Sequence, residues 1–483
     1  MGAPGGQTHV IVVGSGIAGL TAALSARESG ATVTIIERAT PAEAGGNTRY
    51  TEAFLRMESQ HVVSPDLEDR LLGDHMGHPD PGVVAETMKA RSSWSSPRGS
   101  LDIVDSDVVD ELVREAGPTL DWLTSLGMKF DALPTPFLTM SAPRMSPVGG
   151  GWQLVETLTG AAQERGVQFR FETTARSLLT DDGGEVIGLR AHHVRDGVVD
   201  LHGSVVLACG GFEGNPEMLA RYMGPGALNT RPVARGGHYN KGEGIEMAMA
   251  VGAVGAGNFS LFHAEPIDPR SGVPEAAIFA FPYGILVNLE GQRFVDEAPG
   301  RVDAWYERIT RRIHAQTEGI AWLILDQVGL GVPNITAGIR TDQPAVTAGS
   351  LAELAHRMEV PAPALEATVA AYNAACQPGT FDPSQPDGLA TTGLEVPKSH
   401  WATPIASGPF SAYPIIAANV FTFGGLRIDP SARVVNRDGG TIRGLFAAGE
   451  ITGMYYSNYT GSTSVLRGAV FGRIAGAAAA ASA

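Results

Sequence analysis

Between residues 9 and 37 a short apolar run, "HVIVV", gives way to glycines, then to a stretch rich in alanine and leucine, then to a second apolar run closing on Glu37. Continuous apolar runs of this length belong to buried strands, so the segment predicts strand, turn, helix, strand. Two later runs, "VVLACGGFEGN" (205–215) and "GLFAAGEITG" (444–453), predict buried strands ending in small residues, and "DAWYERITRRIHAQ" predicts a helix. Residues 60–150 read as irregular, with "SSWSSPRGS" (92–100) an exposed loop, and "PGTFDPSQPDG" reads as loop. The alanine-rich end after Gly476 reads as helix and fraying tail.

The glycines of the first turn have distinct duties. Gly14 permits the tight turn, Gly16 lets the backbone approach a pyrophosphate at the helix N-terminus, and Gly19 lets the helix pack closely on the strand. Glu37 then stands where ribose hydroxyls need an acceptor, which a glycine-rich turn in some other α/β unit would leave unexplained. NAD and FAD share this fingerprint. Three stretches in order select FAD: "GGNT" (45–48), offering backbone N–H groups and a hydroxyl to a pyrophosphate and ribityl chain; 205–215, small where a chain crosses under adenine; and 444–453, delivering Gly449 and Glu450.

Bulk properties narrow the partners. A chain of 483 residues is too long for one compact core and suggests two lobes. A net charge of -16, from 35 Lys+Arg against 51 Asp+Glu, argues against nucleic acid or an anionic membrane and for a small molecule. With two cysteines, Cys209 and Cys376, there is no thiolate cluster for iron–sulfur or zinc, so redox chemistry falls to an organic cofactor and no metal site is expected. No long uncharged apolar run or secretory leader is visible, and "MGAPGGQ" lacks the hydroxyl of a myristoylation signal, so the chain reads as cytoplasmic and soluble. A second dinucleotide fingerprint is missing, which points to a diffusible electron donor or acceptor.

These motifs, together with "GEGIEMAMAVGA" (242–253), "ILVNLEGQRFVDE" (285–297), "FTFGGLRIDPSARVVNRDGGTIRGLFAAGE" (421–450) and the ending "GSTSVLRGAVFGRIAG", resemble the FAD-containing fumarate reductase and succinate dehydrogenase flavoproteins, including the tricarballylate and 3-ketosteroid dehydrogenases. The resemblance runs nearly end to end. It implies an α/β fold: a Rossmann-type, glutathione-reductase-like FAD-binding domain in two pieces, 1–258 and 420–483, with an inserted α+β capping domain, 259–419. It assigns cofactor contacts to Gly14, Gly16, Ala18, Gly19, Glu37, Arg38, Gly45, Gly46, Asn47, Thr48, Ala208, Gly210, Gly449, Glu450, Ser464 and Val465. The FAD is expected to be non-covalent, because "RYTEAFLRM" offers no histidine where succinate dehydrogenases attach theirs.

In the same resemblance, Gly461–Val465 opens the last helix, whose N–H groups face the pyrimidine end of the flavin and favour its reduced, anionic form. Capping by Ser462 or Thr463 is compatible with that role. Where fumarate reductases carry a substrate-gripping arginine this chain has Tyr459, where they carry a histidine it has Phe421, and their Thr-Glu pair is replaced by Ala276 and Ala277. Fumarate and succinate are therefore not expected as substrates. Tyr459 is a candidate donor to a substrate carbonyl or carboxylate oxygen, or else a ring packed on the flavin edge. Arg301 matches the proton-transfer arginine, with Glu297 and Asp303 as relay partners or as members of a plain ion pair. His263 matches a substrate-touching histidine, or is structural. Tyr283 is a further candidate acid or base at the substrate, without support from the resemblance.

The expected reaction joins or removes a carbon–carbon double bond next to a carbonyl or carboxylate, dehydrogenation being the preferred direction. The leading expectation is a tricarballylate-like polyacid substrate, drawing on Arg49, Arg56 and Arg144; the runner-up is an apolar cyclic ketone, drawing on Phe279, Phe281, Phe421 and Phe423. A flavin-binding electron-transfer subunit without its own substrate is the alternative from another class.

Overall fold

The computed structural model describes residues 8–68, 71, 105–132, 144–459 and 461–482, so the 92–100 loop lies outside the described residues. The two opening apolar runs form the strands His9–Val13 and Thr32–Ile36, joined by the helix Ile17–Glu28. They pair in parallel with Val12 opposite Ile35. Ser204–Leu207 flanks His9–Val13 on the other side and Thr441–Ala447 follows it, both parallel. Gln168–Arg170 and Arg433–Val435 are the edges. Sequence-distant pieces thus share one sheet, and its central strands are buried along their length, as a parallel sheet covered on both faces requires.

The last helix, Ser464–Ala481, lies along Ile17–Glu28 on a seam of glycines. A Cβ at Gly472 would collide with the Ala18 carbonyl and Thr21 Oγ1, and one at Gly476 with the Ala22 carbonyl. The helix expected after Gly476 continues to Ala481 in place of a fraying tail, burying Ala479 while Ala477 and Ala481 stay exposed. The expectation of irregular structure over 60–150 is also corrected, since Ser106–Ser125 is a helix burying Val109, Leu112, Leu120 and Leu123. Within it Gly117 is where the helix meets the His61 carbonyl, 2.9 Å from the place of a Cβ.

The second sheet is built on a single 13-residue strand, Phe410–Thr422. Its first half pairs with Ala321–Leu325 and Val346–Ala348, its second half with Phe262–Ile267 and Arg231–Pro232. The expected helix forms as Val302–His314 and lies against Phe262–Ile267. A core of Ile278, Phe281, Leu286, Ile309, Leu323 and Trp401 fills this lobe, distinct from the core around the first sheet.

Candidate active site

Backbone comes first in the principal cleft. Gly14 takes φ +102°, a left-handed conformation open to glycine, and its Cβ position falls on the Ala208 carbonyl; a Cβ on Gly19 would fall on the Gly14 carbonyl. Glu37 locks the turn from below: Oε2 accepts from Ser15 N at 3.0 Å and Ser15 Oγ at 2.6 Å, and Oε1 from Ala39 N at 2.9 Å. The "GGNT" loop is tied to the same turn, with Thr48 Oγ1 accepting from Ile17 N at 3.1 Å and Ser15 Oγ from Gly45 N at 3.1 Å. Thr48 thereby caps a helix whose own N-cap is glycine. Arg38 reaches across to Glu243 at 2.6 Å and to the Tyr239 carbonyl.

Gly14, Gly16, Ala18, Glu37 and Arg38 line this cleft, as do Gly46, Asn47 and Thr48, Ala208 and Gly210, Gly449 and Glu450, and Ser464 and Val465. Gly19 and Gly45 stand behind it, where their lack of a side chain lets neighbours approach. Two orphaned polar atoms, Asn47 Oδ1 and Arg467 Nε, belong to residues of the lining and have no hydrogen-bond partner among the described residues. Bare glycine backbone, an acidic acceptor, and a waiting donor and acceptor fit an FAD.

At one end of the cleft the segment before the last helix folds back on itself. Tyr459 Oη accepts from Thr463 N at 3.0 Å and Ser464 N at 3.1 Å, and donates to Ser464 Oγ at 3.1 Å. Thr463, at the N-cap, makes no side-chain capping bond, and Ser462 accepts from Arg144 Nε at 3.0 Å instead. Capping expected of Ser462 or Thr463 is thus corrected to the Tyr459 phenol, which reaches the N–H groups because the chain turns through Ser462 at φ +67°.

Tyr459 belongs to a cluster of aromatic rings that reaches the cleft through Phe421. The Tyr459 ring centroid lies 4.3 Å from His263 and 5.0 Å from Phe421. His263 Nε2 is 2.7 Å from the hydroxyl of Tyr306, whose ring meets Phe279 edge-on at 5.5 Å. Burial, then the Arg311 charge, push the imidazole down to about 3, so His263 is a neutral ring. Tyr306 was not legible as a site residue, since nothing near "DAWYE" distinguishes it from a helix-face aromatic. Tyr283 is corrected: it is buried, packs against Trp401 at 5.4 Å and donates to the Pro383 carbonyl at 2.7 Å, which makes it part of the second lobe's core. Phe281 is likewise fully buried in that core and is not among the residues lining the cofactor cleft.

The arginines are engaged. Arg49 pairs with Glu156 at 3.1 Å. Arg56 holds Asp66 with two contacts from one nitrogen, 2.8 and 2.7 Å, and donates to the Gly461 carbonyl. Arg144 lies 3.9 Å from Asp303, and burial followed by the neighbouring Arg56 charge brings it down to about 10. Arg301 occupies the N-cap position of Val302–His314. The relay expected through Glu297 is corrected, because that buried carboxylate is clamped by Arg293 at 2.9 and 2.7 Å and by Leu286 N.

Where the two lobes meet, Glu52 pairs with Arg340 at 2.9 Å, beside Glu265 and Glu275. Burial pushes the Glu265 carboxyl up to about 7 and the Glu275 carboxyl, with Glu265 adding to it, up to about 8. Between the ordinary value of 4.5 and these values the unfolded chain has lost protons that the folded one retains, so stability falls as pH rises through that window. The thermal midpoint is expected to decline from about pH 5 to pH 8, and Glu275→Gln to flatten the decline. An equally steep decline in that variant would remove Glu275 from the account.

The sequence matches the FAD binding domain family over residues 9–466. It is 29% identical to a fumarate reductase (cytochrome) of Shewanella frigidimarina over 99% of this chain and 78% of that protein. It is 28% identical to an NADH:acrylate oxidoreductase of Vibrio harveyi over 97% of this chain, and spans 50% of that relative's length. The solved structure of a 3-ketosteroid-delta4-(5alpha)-dehydrogenase from Rhodococcus jostii RHA1 superposes with a TM-score of 0.69 at 26% identity, covering 98% of this chain and 97% of that one. Among the described residues no helix is long and apolar enough to cross a membrane. The chain belongs to the FAD binding domain family and is an FAD-dependent oxidoreductase of the fumarate reductase and succinate dehydrogenase flavoprotein group.

Proposed function

We propose that the protein interconverts a saturated and an unsaturated carbon–carbon bond next to the carbonyl of an uncharged ring-bearing substrate. The observation that carries this reading is the continuous wall of Tyr459, His263, Tyr306 and Phe421, neutral at its histidine and contiguous with the cofactor cleft. Such a wall excludes water and stacks on an apolar ring. FAD held in the cleft supplies the site of hydride uptake or delivery. The chain itself then has to orient the substrate and move a proton; Arg301 is the candidate for the proton, and the Tyr459 hydroxyl would have to turn its hydrogen from Ser464 Oγ to a substrate oxygen.

A polyacid substrate is the second reading, favoured by Arg56 and Arg144 standing close enough for one to lower the other. Two crowded guanidiniums welcome an anion, but here each already has an aspartate. Anaerobic mixing of the holoprotein with cyclic enones, cyclic ketones and polyacids tests both. Bleaching or reoxidation by the cyclic ketone class supports the proposal. A response to polyacids alone, with a large rise in KM in Arg144→Ala, would replace it with the second reading. No response to either class would favour an electron-transfer subunit. Acid precipitation is expected to release all the yellow colour, since the attachment is proposed to be non-covalent, and a coloured pellet would contradict that. The electron partner is proposed to be a diffusible donor or acceptor.

A further inference from the structure

Glu213 comes from the strand-end stretch "GGFEGN" and Glu450 from "AAGE", sequence-distant acids that meet beside the cleft, each wholly or largely out of water. One amide nitrogen, Asn240 Nδ2, donates to both: to Glu213 Oε1 at 2.6 Å and to Glu450 Oε2 at 3.2 Å. Two ionised carboxylates this close in a buried place repel strongly. Their surroundings differ. Glu450 accepts from Thr422 N at 3.0 Å as well as from Asn240, and the cation facing it is Arg467 of the last helix. Glu213 Oε1 takes two amide donors, Asn47 Nδ2 at 2.8 Å and Asn240, while its Oε2 is buried and meets no donor. An ionised carboxylate would leave that oxygen without a donor; a protonated one makes Oε1 the carbonyl oxygen and lets Oε2 donate to the neighbouring Glu450 carboxylate.

The other charges nearby do not alter this. Lys241 is turned onto the Gly214 carbonyl, and the turn Arg235–Tyr239 presents Gly237 to Glu213, with no side chain of its own. Burial and the Glu450 charge both hold Glu213 well above the usual carboxylate range. Asn47, which Glu213 fixes, also donates to the Val420 carbonyl at 3.0 Å, next to Phe421.

We propose that Glu213 is a neutral carboxylic acid that shares its proton with Glu450, so that the pair carries a single negative charge beside the cofactor and braces the "GGNT" loop to the strand bearing Phe421. Glu213 is then a positioning residue, and Glu450 keeps the charge. The inference rests on the cofactor cleft and is independent of the substrate.

The test uses the FAD-loaded protein. Infrared difference spectra should contain a carboxylic-acid C=O stretch at neutral pH that is lost in Glu213→Gln. Because an amide replaces an uncharged acid, Glu213→Gln should leave the FAD reduction potential where it is, whereas Glu450→Gln should raise it by removing the one negative charge. Glu213→Ala, which strands Asn47 and Asn240, should weaken FAD binding by about tenfold, with Glu213→Gln restoring it. No acid band, or a Glu213→Gln potential that rises as far as that of Glu450→Gln, would show both groups ionised and overturn the proposal.

Discussion

Arg301→Ala is expected to leave the flavin absorption spectrum intact while cutting turnover by at least about 100-fold, the scale of a lost general acid or base. A cation at the N-terminus of a helix works against the helix dipole, and Arg301 stands at the N-cap of Val302–His314 without a side-chain capping bond. Its place is therefore not accounted for by helix stability. The helix it begins presents Asp303 to Arg144, Tyr306 to His263 and Glu307 to the backbone N–H of Tyr459 at 2.8 Å. With Glu297 held by Arg293, the proposed relay would have to run through Asp303. Arg301→Lys should recover little, because the planar fork and the high pKa are both lost. Stopped-flow reduction with the responding substrate reads the effect, and near-normal rates in Arg301→Ala would return the residue to an ion-pair role.

Tyr459→Phe is expected to act on substrate turnover and on the cofactor together. A reading from sequence alone separates the two, because a phenylalanine ring would pack as before and the helix mouth would be untouched. The hydroxyl, however, is the cap of the last helix, taking two of its N–H groups. Removing it releases those donors toward the cleft, so the reduction potential should rise, measured by dye equilibration. Loss of the oxygen beside the aromatic wall should lower kcat and kcat/KM together by about 100-fold. A fall in kcat with an unmoved potential would restore the separable reading, and a change in KM alone would reduce Tyr459 to a substrate rest.

What was legible in the sequence is what backbone chemistry dictates locally. "GSGIAG" and "GGNT" need no partner to be read, since their glycines and hydroxyl serve turns and N–H groups within a few residues. The members of the aromatic wall come from four distant places, Phe421, His263, Tyr306 and Tyr459, and only pairing of Phe262–Ile267 with Phe410–Thr422 sets His263 opposite Phe421. Glu213 carries no signal either, because an acid after "GGF" reads as a surface turn until Asn240 and Glu450 arrive. Tyr283 misled for the converse reason: a tyrosine among prolines and glycines looks available, yet a backbone carbonyl 100 residues away uses its hydroxyl.

The strand Phe410–Thr422 has a mechanical consequence. It is hydrogen-bonded along its length into the second sheet, and at its last residue the Thr422 N–H reaches Glu450 beside the cofactor cleft. Thirteen extended residues reach about 43 Å, so one stiff rod runs from the lobe's interior to the cofactor's edge. A shift at the far end of this strand would be passed along its own backbone toward Phe421 and, through the Thr422 N–H, toward Glu450.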